Sequence, residues 1–294
     1  MNVIERDILL LCCHLGDSNA RPLTAAQYFA LESRTYNKLS HTASLALLDK
    51  NDFLCFGYSE EEAARMFDLL NRQSLLEDYL GRGQQYNCYP LTGVSSDYPQ
   101  RIISKQSSRT PVLFARGDLS LLEAPSVAVV GSRELLPPNE LFARTAGQIA
   151  AKERLALVSG GARGADRTAQ NACLQNGGSC VIFVADQLLR HEAAPGMLYL
   201  SEDGFDFGFS TVRALSRNRL IHMQADKAIA CQSDLGFGGT WQGCVENLNH
   251  GWSSLFVFDD GSPAMKELIV RGATGIQELQ SIKALEADQM SLFG

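Results

Sequence analysis

One nine-residue stretch concentrates the chemistry of this sequence. The apolar run Leu155-Ala156-Leu157-Val158 breaks into Ser159-Gly160-Gly161-Ala162-Arg163-Gly164, and an alanine-rich helical pattern follows Asp166. Glycine lets a backbone approach a ligand closely, and a helix N-terminus offers unpaired N–H groups to an anion. An arginine in the same loop adds paired donors that match phosphate oxygens. Asp166 has two possible uses there, as a cap on its own helix or as a contact to the ligand.

Three further segments have the same character. Gly131-Ser132-Arg133 ends the apolar run "SVAVV", and Gly236-Phe237-Gly238-Gly239-Thr240 follows "KAIACQS". Arg217-Asn218-Arg219 lies in or at the start of a helical stretch. Together these bring Arg133, Arg163, Arg217 and Arg219 toward glycine-rich backbone, a combination suited to phosphate. Other chemistries lack their residues. There is no GxGxxG at the first strand–helix junction and no GxxxxGK[ST] loop. The histidines at 14, 41, 191, 222 and 250 are scattered, and no Ser-His-Asp set is visible. His222, one turn after the arginines, reads as structural. The cysteines at 12, 13, 55, 88, 173, 180, 231 and 244 include no CxxC pair, so a zinc ribbon is not expected. Most sit in apolar runs and read as small buried thiols in a reducing cytoplasm. Neither a metal nor a cofactor is expected.

These loops need a scaffold that delivers them to one edge. From Ser126 onward, strand-like runs alternate with helical patterns: "SVAVVGSR", "LALVSGG", "SCVIFVAD", "MLYLSE", "KAIACQS" and "SSLFVFDD", with helices over 139–154, after 164, and around 212–225, 240–250 and 263–271. Such alternation predicts an α/β fold with a doubly wound, mostly parallel sheet, whose ligands sit beyond the carboxyl ends of the strands. Ala165, Ala169, Ala172 and Cys173 form a small-residue face for close packing. Residues 1–82 read as a small helical domain, 83–125 as a connector with entry strands, 126–280 as the α/β domain and 281–294 as a tail. In the helical part, Ser59 and Glu62 form a capping-box pair and Gly81 reads as the stop. The opening "MNVIERDILLLCCHLG" reads as a first buried helix, too short to span a membrane. With 294 residues and a net charge of −7, any nucleic-acid contact must be a local basic patch.

The ordered set "YPQRI", "PVLFARGDLSLL", "VAVVGSR", "LVSGGARGADRTAQNACLQNGG", "LSE" and "RNRLI" resembles the DNA-processing protein A family (DprA, also called Smf), over roughly residues 89–275. The resemblance implies a Rossmann-like fold, a homodimer, single-stranded DNA binding and delivery of that DNA to the recombinase RecA, in natural transformation and without catalysis. It carries phosphate or DNA contact onto residues 131–133, 159–164 and 217–219. Two departures stand out. Ala169-Gln170 occupies the family's Ala-His position, and "GFGGTWQGCVENL" replaces its Ser-Gly-Ser/Thr segment. That segment resembles the Gly-Gly-Thr loop of the wider nucleotide-binding superfamily, which includes cytokinin-activating phosphoribohydrolases. Those enzymes carry a glutamate soon after the threonine; here Gly243 is the third residue past Thr240 and Glu246 the first acid. A nucleotide-binding or nucleotide-hydrolysing protein, or a nucleotide sensor in defence, is therefore the alternative, with Glu246 as acid or base. No winged-helix pattern is evident at the C-terminal end.

Two assembly features complete the reading. Dimerisation is expected through an edge of the α/β domain, with "SSLFVF" as the partly exposed apolar strand. The terminal Gln289-Met290-Ser291-Leu292-Phe293 resembles the short Gln-x-x-Leu-Phe peptide with which bacterial repair proteins dock on the β sliding clamp, and Gln289, Leu292 and Phe293 are the residues that would engage it.

Overall fold

A computed structural model of the chain describes residues 1–36, 44–105, 110–202 and 204–286. Five α-helices come first among the described residues: α1 (Val3–Cys12), α2 (Ala25–Tyr36), α3 (Lys50–Cys55), α4 (Glu60–Leu70) and α5 (Gln73–Gln85). Asn2 and Glu5 box the start of α1, as Ser59 and Glu62 do for α4. Ile8 to Leu11 are buried, so α1 is an internal helix. Gly81 does not stop α5. It sits where an added Cβ would meet open space, while Gly83 packs beside Phe205 and the Cys88 carbonyl.

The rest is one nine-stranded sheet. Its elements in chain order are β1 (Tyr89–Thr92), α6 (Gln100–Ser104), β2 (Val112–Gly117), β3 (Ser126–Val130), α7 (Pro137–Lys152), β4 (Ala156–Ser159), α8 (Ala165–Gln175), β5 (Ser179–Phe183), β6 (Met197–Ser201), α9 (Thr211–Gln224), β7 (Lys227–Ala230), α10 (Gly238–His250), β8 (Ser254–Phe258), α11 (Pro263–Val270) and β9 (Thr274–Ile276). The order is β1-β2-β6-β5-β4-β3-β7-β8-β9. β1 and β2 pair antiparallel, β2 pairs antiparallel with β6, and all other pairs are parallel. The chain winds outward from β3 to β6, then returns to place β7 on the other side of β3. The order reverses there, and open α/β sheets bind ligands at that point.

Alternation along β3 fixes the layers. Val127 and Val129 join the core that also holds α7, α8 and the N-terminal helices, whereas Ala128 and Val130 join the core with α9, α10 and α11. The small-residue face of α8 brings α7 almost into backbone contact: a Cβ on Gly147 would collide with the Ala169 carbonyl. "SSLFVF" is not an exposed edge. β8 lies between β7 and β9, and Leu255, Phe256 and Val257 are buried. The short strand β9 pairs with β8 and takes the outer position, so the apolar run reflects burial on both faces. Among the described residues no helix is long and apolar enough to cross a membrane. Six cysteines are buried, Cys12 is half-buried, and Cys55 is exposed.

Candidate nucleic-acid interface

A cleft of about 1160 Å³ opens at the reversal point, walled by the loops after β3, β4 and β7 and by the first turns of α9. These loops interlock before they meet any ligand. Gly131 lies so close to α8 that a Cβ there would stand 2.6 Å from the Ala165 Cβ. The Ser132 carbonyl accepts the Ala165 N–H at 3.2 Å, and Ser132 N–H donates to the Gln232 carbonyl at 3.0 Å. Gly164, at φ +85°, is pressed against Ser132 and Arg133. Those glycines serve the fit of loop against loop.

The anion held by the β4–α8 loop is the chain's own. Buried Asp166 accepts the N–H groups of Gly160 at 2.9 Å and Ala162 at 3.3 Å. Burial pushes its carboxyl up from the ordinary value, while Arg217 and these N–H donors pull it down. Arg217 is buried too and donates to the Gly160 and Phe183 carbonyls. It braces the loop from beneath, leaving no room for a Cβ at Gly160. Ser159 is engaged by the Gln170 amide, the residue at which the chain departs from the family's Ala-His. Gly161, at φ +68°, faces the Ile182 side chain. Arg219 does not line the cleft: it pairs with Glu202 at 2.9 Å and donates to Thr110 Oγ1 at 3.2 Å.

Free groups remain on the rim. Arg133 is exposed and has no ion-pair partner among the described residues. Arg163 is 73% exposed, and its pair with Glu134, 3.3 Å away and 88% exposed, is of the solvated kind worth about 0–1 kcal/mol, which a phosphate can displace. Helix α10 begins at Gly238-Gly239-Thr240 with no side-chain cap, so its first N–H groups are available to an anion. Gly238, at φ +86°, has nothing within 4 Å of an added Cβ. Asn218 donates to the Gly239 carbonyl at 3.2 Å and ties α9 to this turn.

Two groups were not singled out in the sequence. Phe209 and Phe237 line the cleft with 61% and 78% of their surface exposed. Rings exposed at a cleft present flat faces of the kind on which bases stack. The sequence signal was present in "GFGGT" and "FDFGFS", where each ring is flanked by glycine or serine. Glu246 faces an adjoining depression of about 400 Å³ with Trp241 and Val245, which shares Phe237, Gly238 and Gln242 with the main cleft, and does not itself line that cleft. His222 is buried beneath the cleft, its Nδ1 has no partner among the described residues, and burial pushes its pKa down to about 4. Gln289, Leu292 and Phe293 fall outside the described residues. The chain before them is tied down: Glu153 accepts Ser281 Oγ and the N–H groups of Ile282 and Lys283, while Lys227 donates to the carbonyls of Ile282, Lys283 and Leu285. Glu153 follows α7 and Lys227 opens β7, so this anchor lies at the end of the sheet opposite the cleft.

Fold and cleft define a doubly wound α/β protein with glycine- and arginine-bearing loops at its switch point. Residues 90–285 match the family described as DNA recombination-mediator protein A, and the chain belongs to that family. It is 31% identical over 105 residues to the DNA processing protein DprA of Streptococcus pneumoniae, covering 36% of this chain and 37% of that protein. It is 31% identical over 169 residues to protein Smf of Synechocystis, covering 52% of this chain and 40% of that protein. The matches thus span well under half the length of these curated relatives. The crystal structure of S. pneumoniae DprA shares the fold, with a TM-score of 0.73 and 23% identity over 94% of this chain and 95% of that one. A Helicobacter pylori DprA structure, described for its unique single-stranded DNA binding mode, superposes with a TM-score of 0.56 and 27% identity, covering 66% of this chain and 92% of that one.

Proposed function

We propose that this protein binds single-stranded DNA across the switch-point cleft and hands it to a recombinase, without catalysis. The observation that carries the reading is the rim itself: two exposed arginines and an uncapped helix N-terminus beside two exposed phenylalanines. Phosphates sit on Arg133, Arg163 and the α10 turn of Gly238, Gly239 and Thr240, while bases stack on Phe209 and Phe237. Stacking needs unpaired bases, so the cleft selects single strands over duplex. The net charge of −7 confines binding to this patch. In this reading Asp166, Arg217 and Arg219 shape the loops and do not touch DNA. RecA is the recipient, in transformation or repair, and the protein acts in the cytoplasm as a homodimer. The Gln289-Leu292-Phe293 tail docks on the sliding clamp; its anchor at the opposite end of the sheet leaves the cleft free for DNA. Titrating labelled oligo-dT against duplex of equal length tests the reading, with clear preference for the single strand expected. Release of free base from nucleoside monophosphates would favour the phosphoribohydrolase reading, which the position of Glu246 outside the cleft argues against.

A further inference from the structure

Phe209 ends a loop that is held from the far side of the molecule. Tyr79 of α5 is fully buried. Its hydroxyl donates to Asp206 Oδ1 at 2.8 Å and accepts the Phe205 N–H at 3.3 Å. Its ring lies 4.4 Å from that of Phe205. Gly204, at φ +145°, comes so near that a Cβ would collide with the Tyr79 hydroxyl. Arg82, one turn further along α5, stands 3.5 Å from Asp206 Oδ2. His14, just beyond α1, contributes a ring 5.3 Å from Phe207. From the other side Arg213 of α9 donates to the carbonyls of Phe207 at 2.9 Å and Gly208 at 2.7 Å. Residues 204–208 are thus gripped by the N-terminal helices on one flank and by α9 on the other. The next residue is the exposed ring in the cleft, and the one after it, Ser210, caps α9.

We infer that Tyr79 and Asp206 are positioning residues through which the N-terminal helices set Phe209 and the first turn of α9 for DNA, without touching DNA themselves. The inference rests on the stacking role of Phe209 proposed above. A loop ring serves as a platform only if its approach to the base is fixed before binding, because ordering it on binding subtracts from affinity. The grip supplies that order, and it leaves the phosphate contacts on Arg133 and Arg163 unchanged.

The test uses the full chain with Tyr79→Phe, which keeps the ring and removes the hydroxyl, and Asp206→Asn as a second variant at the loop surface. Amide exchange over residues 204–210 should quicken about five- to tenfold in the free protein, with α7 and α8 unaffected, the scale of one lost hydrogen bond. Affinity for oligo-dT should fall about three- to tenfold with no change in salt dependence, and the loss should vanish in a Phe209→Ala background. Unchanged loop exchange in both variants overturns the inference whatever the DNA result. Faster exchange with unchanged affinity, while Phe209→Ala alone weakens binding, overturns it and leaves the proposed function standing. Equal losses with and without Phe209 assign the effect to general stability and also overturn it. If the unaltered protein does not bind oligo-dT, the proposed function falls and takes this inference with it.

Discussion

Replacing Asp166 with alanine separates a loop that binds through its carboxylate from a loop that is built around it. The carboxylate accepts two N–H groups at 2.9 and 3.3 Å and lies 6% exposed. Its removal orphans the buried Gly160 donor and the half-buried Ala162 donor, and takes away the carboxylate that most favours the charged Arg217. An orphaned buried donor costs about 1–3 kcal/mol, so the pair should cost about 3 kcal/mol before any contribution from Arg217. For a chain of this size that is a fall in melting temperature of roughly 5 °C. Asp166→Asn retains one acceptor oxygen and should lose less. Differential scanning fluorimetry measures both, alongside oligo-dT affinity well below the melting point. A variant that melts like the unaltered protein and yet loses DNA would place Asp166 on the ligand and refute the reasoning.

Other consequences are equally direct. Phe209→Ala and Phe237→Ala should each weaken oligo-dT binding by about 1–3 kcal/mol with an unchanged salt slope, because stacking involves no counterion release; a changed slope in a calorimetric or anisotropy titration would argue against stacking. His222, at about 4 instead of its ordinary 6.5, is neutral in the fold, so its contribution is complete above pH 6.5 and is lost as pH falls toward 4, by about 3 kcal/mol. Urea midpoints across that window should fall less in His222→Gln, and parallel curves for the two proteins would contradict the assignment. Gly164→Ala forces a Cβ into the Ser132–Arg133 backbone and should destabilise the fold by several kcal/mol, whereas Gly238→Ala meets open space and should cost only about 1–2 kcal/mol of left-handed strain. Equal losses on thermal melting would contradict that contrast. Light scattering should report twice the 32.1 kDa monomer mass, and a monomer at every concentration would remove the homodimer.

The sheet was legible because the parallel strands β3, β4, β7 and β8 are largely buried on both faces and therefore read as apolar runs, each followed by a helical pattern; the short, half-exposed β9 carries no such run. That the glycine-rich loops meet at one cleft was legible too, because strand ends in a doubly wound sheet converge on its switch point. What a single sequence could not tell is which partner each group meets. Arg217 and Arg133 look alike in a list of residues, yet one is buried under Gly160 and the other stands free in solvent. Much of the motif set that carries the family resemblance is internal carpentry: Ser201 accepts Arg213, Glu202 pairs with Arg219, and Arg217 holds Gly160. The two phenylalanines escaped notice because an exposed aromatic ring and a core ring have the same one-letter code. The break at Asn71-Arg72 was hidden by apolar spacing that runs through it, and the Arg72 side chain there donates to the Leu10 and Cys13 carbonyls of the α1 turn.

The central claim is that exposed arginines on the cleft rim hold the phosphates of a single strand. Anisotropy titrations of labelled oligo-dT over a range of salt test it most directly, with the unaltered protein, Arg133→Ala, Arg163→Ala and the double variant. The account predicts weaker binding in each single variant, further weakening in the double variant, and a salt slope shallower by about 0.7 for every arginine removed. A folded double variant that binds oligo-dT with unchanged affinity and slope would contradict it.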